Sequence, residues 1–308
     1  MPGIDWEKVK RYSINERESL VNKEMFATCP EPGARASELL DSLPRILAGR
    51  DFRRAVDAIV EAKRNGRKVI VGAGAYVVKV GTSPIIQDLL RRGIIDHFAA
   101  NGATGIHDFE IALTGCTSED VAMEFPRGRF GMAREPALAF ADALDHYDAP
   151  NVGLGAALGN LIVDRKLQTG PSIFGTCAQV GRPATLHIAM GTDVVHMHPE
   201  LDAAKLGVAA MCDFRRFTDQ VSTLAGGVYI NMGSAVIMPE VFLKATTVCV
   251  NLDIDLSGLT AVDFDMIRQY RPTVNVITRP ASNGLHITGR HEIMLPLLRM
   301  AVLEGLEN

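Results

Sequence analysis

Apolar residues recur at helical spacing in two stretches near the start of the chain, Ala36 to Gly49 and Asp51 to Asn65. In the second, Phe52, Ala55, Val56, Ile59 and Val60 form one stripe, with Asp51 placed to cap the start and Gly66 just past the end. The pattern then changes. Lys68 to Gly72 is a short continuous apolar run ending in glycine, which suits a strand buried on both faces of a parallel sheet. Ser83-Pro84 opens another helix, whose stripe is Ile85, Ile86, Leu89 and Leu90.

The same order recurs along the chain. Ile94 to Ala100 reads as strand, Asn101 to Gly105 as turn and Ile106 to Leu113 as helix. Thr185 to Met190 and Gly227 to Asn231 are further strands, the latter followed by a helix starting near Pro239. Thr273 to Ile277 is the last strand expected, and Met294, Leu297, Leu298 and Ala301 mark a closing helix. Strands alternating with helices imply an α/β fold with a doubly wound, mostly parallel sheet. Asp148 to Val152 is the best boundary candidate, but composition does not change across it. The expected organisation is therefore one α/β domain over 1–308, with a helical extension over about 1–65.

Composition narrows the function classes. A net charge of -4 gives no long-range attraction for nucleic acid, and the pairs Arg91-Arg92 and Arg215-Arg216 lack interleaved aromatics. No apolar run is long enough to span a membrane, and Met1 to Arg17 does not read as a secretory signal. Five scattered cysteines without a CxxC pair point to a reducing compartment, so a cytoplasmic protein is expected.

Ligands of such sheets bind beyond the carboxyl ends of the strands, where glycine allows close approach and helix starts attract anions. Gly72-Ala73-Gly74-Ala75, Asn101-Gly102-Ala103-Thr104-Gly105, Gly191-Thr192-Asp193 and Gly233-Ser234 fall at such ends. Any one of these turns could need glycine for geometry alone. His107, Asp108 and Glu110 open the expected helix after Asn101 and could set a base and a carboxylate beside a ligand. Acidic residues there could equally just complement the helix dipole. In an extended Gly191 to Pro199, His196 and His198 share one side, suited first to proton transfer and second to a metal, although no standard zinc spacing is present. Nucleophilic catalysis has little support: there is no GxSxG, and Cys116 has no histidine near it in sequence.

Three segments, Lys68 to Gly74, Gly81 to Asp96 and Asn101-Gly-Ala-Thr-Gly-Ile-His-Asp-Phe109, resemble the deoxyhypusine synthase family. The likeness continues through Ala189 to Asp193, Ala225 to Val228 and Pro296 to Leu298. It implies a Rossmann-like NAD-binding sheet, a homo-oligomer (dimer or tetramer) and a small-molecule substrate. On that resemblance Ala75, Tyr76, Asn101, Gly102, Ala103, Asp193, Gly226 and Gly227 contact the dinucleotide. Three departures matter. His107 and His198 stand where the family has acidic residues suited to a polyamine, and Arg290 stands near a cofactor-contacting aspartate. The family's imine-forming lysine is also missing, since no lysine follows Lys244. The expectation is an NAD-dependent enzyme that makes neither deoxyhypusine nor homospermidine, with His107, Asp108, His196 and His198 as catalytic candidates. The alternatives are a metal-dependent hydrolase or lyase using His196 and His198, and a non-catalytic nucleotide-binding module.

Overall fold

The structure, a computed structural model, describes residues 3–167 and 170–307. Six strands form one sheet in the order β3-β2-β1-β4-β5-β6, with every pair parallel. They are β1 (Val69–Ala73), β2 (His97–Asn101), β3 (Ala184–His187), β4 (Val228–Met232), β5 (Thr260–Asp265) and β6 (Asn283–Thr288). The first five are almost wholly buried, as expected of parallel strands covered on both faces.

Alternate strand residues feed two cores. Val69, Val71, Phe98, Ile230, Phe264 and Ile287 meet α2 (Leu47–Arg64), α14 (His291–Glu307) and their neighbours. On the other face Ile70, Ala99, Tyr229 and Ala261 meet α11 (Ala203–Val221) and α12 (Ile237–Asn251). The remaining helices are α1 (Ala36–Ser42), α3 (Tyr76–Lys79), α4 (Ser83–Arg91), α5 (Gly102–Thr114), α6 (Val121–Glu124), α7 (Arg134–His146), α8 (Ala149–Val152), α9 (Leu154–Asp164), α10 (Ile173–Val180) and α13 (Tyr270–Pro272). Before α1, residues 3–35 carry three short 3-10 turns, and Ile4, Trp6, Tyr12, Ile14, Leu20 and Phe26 are exposed along them. The Ala36 and Ser37 N–H groups donate to the Glu304 carboxylate of α14, which closes the start of α1.

Several sequence expectations are corrected. The first helix stops at Ser42, just before Leu43-Pro44, because proline disfavours a helical residue ahead of it. The second begins at Leu47, so Asp51 lies inside it and caps nothing. Asn101 to Gly105 is not a turn: Asn101 is the N-cap of α5, its Oδ1 accepting from the Thr104 N–H at 3.1 Å. Thr273 to Ile277 is not a strand but part of a π-helical turn, Thr273–Thr278, with Asn275 and Val276 buried. The last two strands are β5 and β6, which the apolar pattern did not reveal.

Candidate functional site

The strand order reverses between β1 and β4, the point of such a sheet beyond whose carboxyl ends a ligand crevice forms, and here the two loops touch. The Gly74 N–H donates to the Met232 carbonyl, and a Cβ on Gly74 would overlap the Gly233 carbonyl oxygen. The two backbones meet only because side chains are absent. Gly233 has φ +63°, and over it lies the ring of His291, the first residue of α14. That ring also packs edge-on against Tyr76, 5.3 Å between centroids. His291 is fully buried, and among the described residues neither ring nitrogen has a hydrogen-bond partner. Burial lowers its pKa, against the opposing influence of the Phe264 carbonyl, Glu292 and Asp263. Arg290, exposed, reaches toward the Tyr76 hydroxyl at 3.4 Å.

The neighbouring loops add a second group. Asp193 follows β3, and its carboxylate lies against Gly102, where a Cβ would overlap Oδ2. Its Oδ2 is buried without a partner, and burial pushes its pKa up to about 6 against the opposing pull of the Ala103 N–H at the start of α5. His196 Nδ1 accepts from the Gly191 and Asp193 N–H groups at 3.1 and 3.2 Å, which leaves the hydrogen on Nε2, itself buried and unpartnered. Desolvation lowers the pKa of His196. Asn101, Gly102, Ala103, Thr104, Asp193 and His196 therefore come together.

Other candidates do not join them. Val194–Met197 coil into a 3-10 turn, so His196 and His198 are not side by side; His198 Nε2 instead donates to the Gly131 carbonyl at 2.9 Å. His107 lies beyond the first turn of α5 and pairs with Glu110 at 3.2 Å and Thr117 at 2.6 Å. Asp108 is fully buried and accepts from the Ser172 hydroxyl and the Ile173 and Phe174 N–H groups, closing the start of α10. Gly72 sits inside β1 beneath the Tyr229 hydroxyl, which leaves no room for a Cβ. Gly226 and Gly227 precede β4, at the amino edge of the sheet. Five strand residues at about 3.3 Å each separate them from Gly233, so they cannot share its ligand. Among the described residues no group of three or more His, Cys, Asp or Glu is arranged to hold a metal ion.

Sequence reasoning missed a polar line across β4, β5 and β6. Asn231, Asp263 and His286 are register partners. Asn231 Nδ2 donates to Asp263 Oδ1 at 2.7 Å, Asp263 Oδ2 meets His286 Nδ1 at 2.8 Å, and His286 Nε2 meets Thr288 Oγ1 at 3.0 Å. The two-residue spacings Asp263-x-Asp265 and His286-x-Thr288 were the available signal, but only the pairing of β5 with β6 joins them.

Comparison with solved structures bears on the fold. AgrE in complex with ornithine and NAD+ superposes with a TM-score of 0.55 at 15% identity, covering 83% of this chain and 33% of that one. The chain has a Rossmann-like α/β fold. A conserved candidate LOR/SDH protein from Methanococcus maripaludis S2 gives 0.52 at 17% identity, covering 100% of this chain and 76% of that one. A candidate deoxyhypusine synthase from Entamoeba histolytica gives 0.52 at 11% identity, covering 96% and 97%. In sequence, ornithine cyclodeaminase from Methanothermobacter thermautotrophicus is 33% identical over 64 residues, which are 21% of this chain and 16% of that protein's length. No family model matches the chain. Among the described residues no helix is long and apolar enough to cross a membrane.

Proposed function

We propose that the protein is an enzyme that holds NAD across the β1/β4 crevice and acts on a small substrate beside it. The observation that carries this reading is the buried, unpartnered Asp193 Oδ2 against Gly102, at the carboxyl ends of β2 and β3 on one side of the order reversal. An orphaned acceptor there suits the ribose hydroxyls of a nucleotide. A phosphate is best met by Arg290, exposed just ahead of α14. Gly74 and Gly233 let the two backbones touch at the reversal, with His291 and Tyr76 packed over them. Bound NAD would supply a hydride acceptor. His196, with its Nε2–H turned inward, would exchange the accompanying proton.

The complex of AgrE with ornithine and NAD+ supports a small amino-acid-sized substrate. Deoxyhypusine and homospermidine synthesis are disfavoured, because the last lysine, Lys244, pairs with Glu240 on the exposed face of α12. The exposed apolar residues over 3–35 support a homo-oligomer. Thermal unfolding against a panel of nucleotides tests the cofactor: NAD at 100 times its Kd adds about 2.7 kcal/mol, and Asp193→Ala should abolish that gain. A panel in which no nucleotide raises Tm would remove the reading.

A further inference from the structure

β5 and β6 end in a line of three side chains whose order is carboxylate, imidazole, hydroxyl. Asp263 is fully buried, with Oδ1 engaged by the Asn231 amide and Oδ2 by His286 Nδ1 at 2.8 Å. A carboxylate only accepts hydrogen bonds, so the hydrogen of the His286 ring lies on Nδ1. Nε2 is then bare, and the Thr288 hydroxyl, 3.0 Å away, donates to it. Proton positions assigned from the network in this way are those of a hydroxyl primed by a base that a carboxylate orients. The imidazole is largely shielded, its side chain 10% exposed, whereas Thr288 faces solvent at the carboxyl end of an edge strand.

The chain after Thr288 completes the setting. The Gly289 N–H donates to the Asp265 carbonyl at 2.9 Å and fixes the backbone there. α14 begins two residues later, and the first N–H groups of a helix have no intrahelical acceptor. A purely structural role, clasping edge strand β6 to β5, needs Asp263 and His286 but not the hydroxyl.

We propose that Thr288, His286 and Asp263 form a nucleophile, base and orienting carboxylate that transfer an acyl group from a small carboxylic ester or thioester to water. Thr288 Oγ bonds to the acyl carbon as His286 Nε2 takes the hydroxyl proton. The bond from the acyl carbon to the leaving oxygen or sulfur breaks, and His286 returns that proton to the leaving group. Water then attacks the acyl-threonine ester, giving its proton to the same nitrogen, which passes it to Thr288 as the carboxylic acid departs. The activity is independent of the nucleotide reading and can hold if that reading fails.

Full-length protein is treated with an alkyl fluorophosphonate, followed by intact mass and peptide mapping, and assayed for release of nitrophenolate from para-nitrophenyl acetate. The expected result is one adduct, on Thr288, and turnover that Thr288→Val removes and Thr288→Ser retains. His286→Gln should slow turnover by about 10²-fold or more, the scale of a general base. Should His286→Gln fail to fold, the two Thr288 variants decide the matter. Absence of an adduct on Thr288, or Thr288→Val turning over as fast as the parent, overturns the proposal.

Discussion

At the scale of single residues, the buried polar groups divide by what they touch. Tyr229 is fully buried, stacks on Phe242 at 3.7 Å, and its hydroxyl has no partner. An unmet buried hydroxyl costs about 1–3 kcal/mol, so Tyr229→Phe is expected to be neutral or stabilising in urea unfolding. Gly72→Ala should instead lose about 1–3 kcal/mol by overpacking against that hydroxyl. In the double variant most of the loss should disappear, and additive effects would show that the contact is not the cause.

Titration gives a second prediction at this scale. His97 and His187 both approach the Thr185 hydroxyl, and burial pushes each pKa down from 6.5 to about 3. Unfolded chains bind those protons first, so stability from this pair is present above pH 6.5 and lost as pH falls toward 3. Asp108 and Asp193, pushed up from 3.8 to about 6, and Asp213, pushed up to about 7, act oppositely. The folded state holds their protons first, so their contribution is fully present below 3.8 and lost as pH rises through those values. Between about pH 4 and 6 the three carboxylates outweigh the two histidines by one proton, and only the histidines act below. Tm should therefore rise modestly as pH falls from about 6 to 4 and fall steeply below about pH 4, whereas a steady decline from pH 6.5 would show that the carboxylates are not raised.

Among elements, helix starts are closed by side chains far away in sequence. Asp108 does this for α10 with three accepted hydrogen bonds. Asp108→Ala strands those donors and should lower stability by about 1–3 kcal/mol, read by denaturant melts, where a purely catalytic role would leave the melt unchanged. β1, β2 and β4 were legible because continuous apolar runs bounded by glycine have few other readings. β5 was not: Asp263 and Asp265 alternate with apolar residues as on a half-exposed strand, and their burial depends on cross-strand partners that no local window contains. Thr273 to Ile277 has the β-branched content of a strand but coils instead, its Val276 buried against the α11/α12 side of the sheet. Gly226 and Gly227 were placed with Gly74 by the family resemblance alone, although Gly227 opens the strand expected from Gly227 to Asn231. The site was legible where loop and helix start are contiguous, as at Asn101 to Thr104, and illegible where two strands had to be paired first.

For the whole molecule, the segment before α1 exposes Ile4, Trp6, Tyr12, Ile14, Leu20 and Phe26, the kind of apolar surface that association covers. Light scattering after size exclusion is expected to give a mass above one chain, and replacing Trp6, Leu20 and Phe26 by serine should shift it toward one. An unchanged mass would place the contact elsewhere. The Glu304 clasp gives this segment a mechanical reach. α14 has 17 residues, about 25 Å at 1.5 Å each, with Glu304 gripping the start of α1 near one end and His291 wedged over Gly233 at the other. A rod held at both ends transmits tilt, so any displacement of α1 must either break the two hydrogen bonds that the Ala36 and Ser37 N–H groups donate to Glu304 or lever His291 against Gly233.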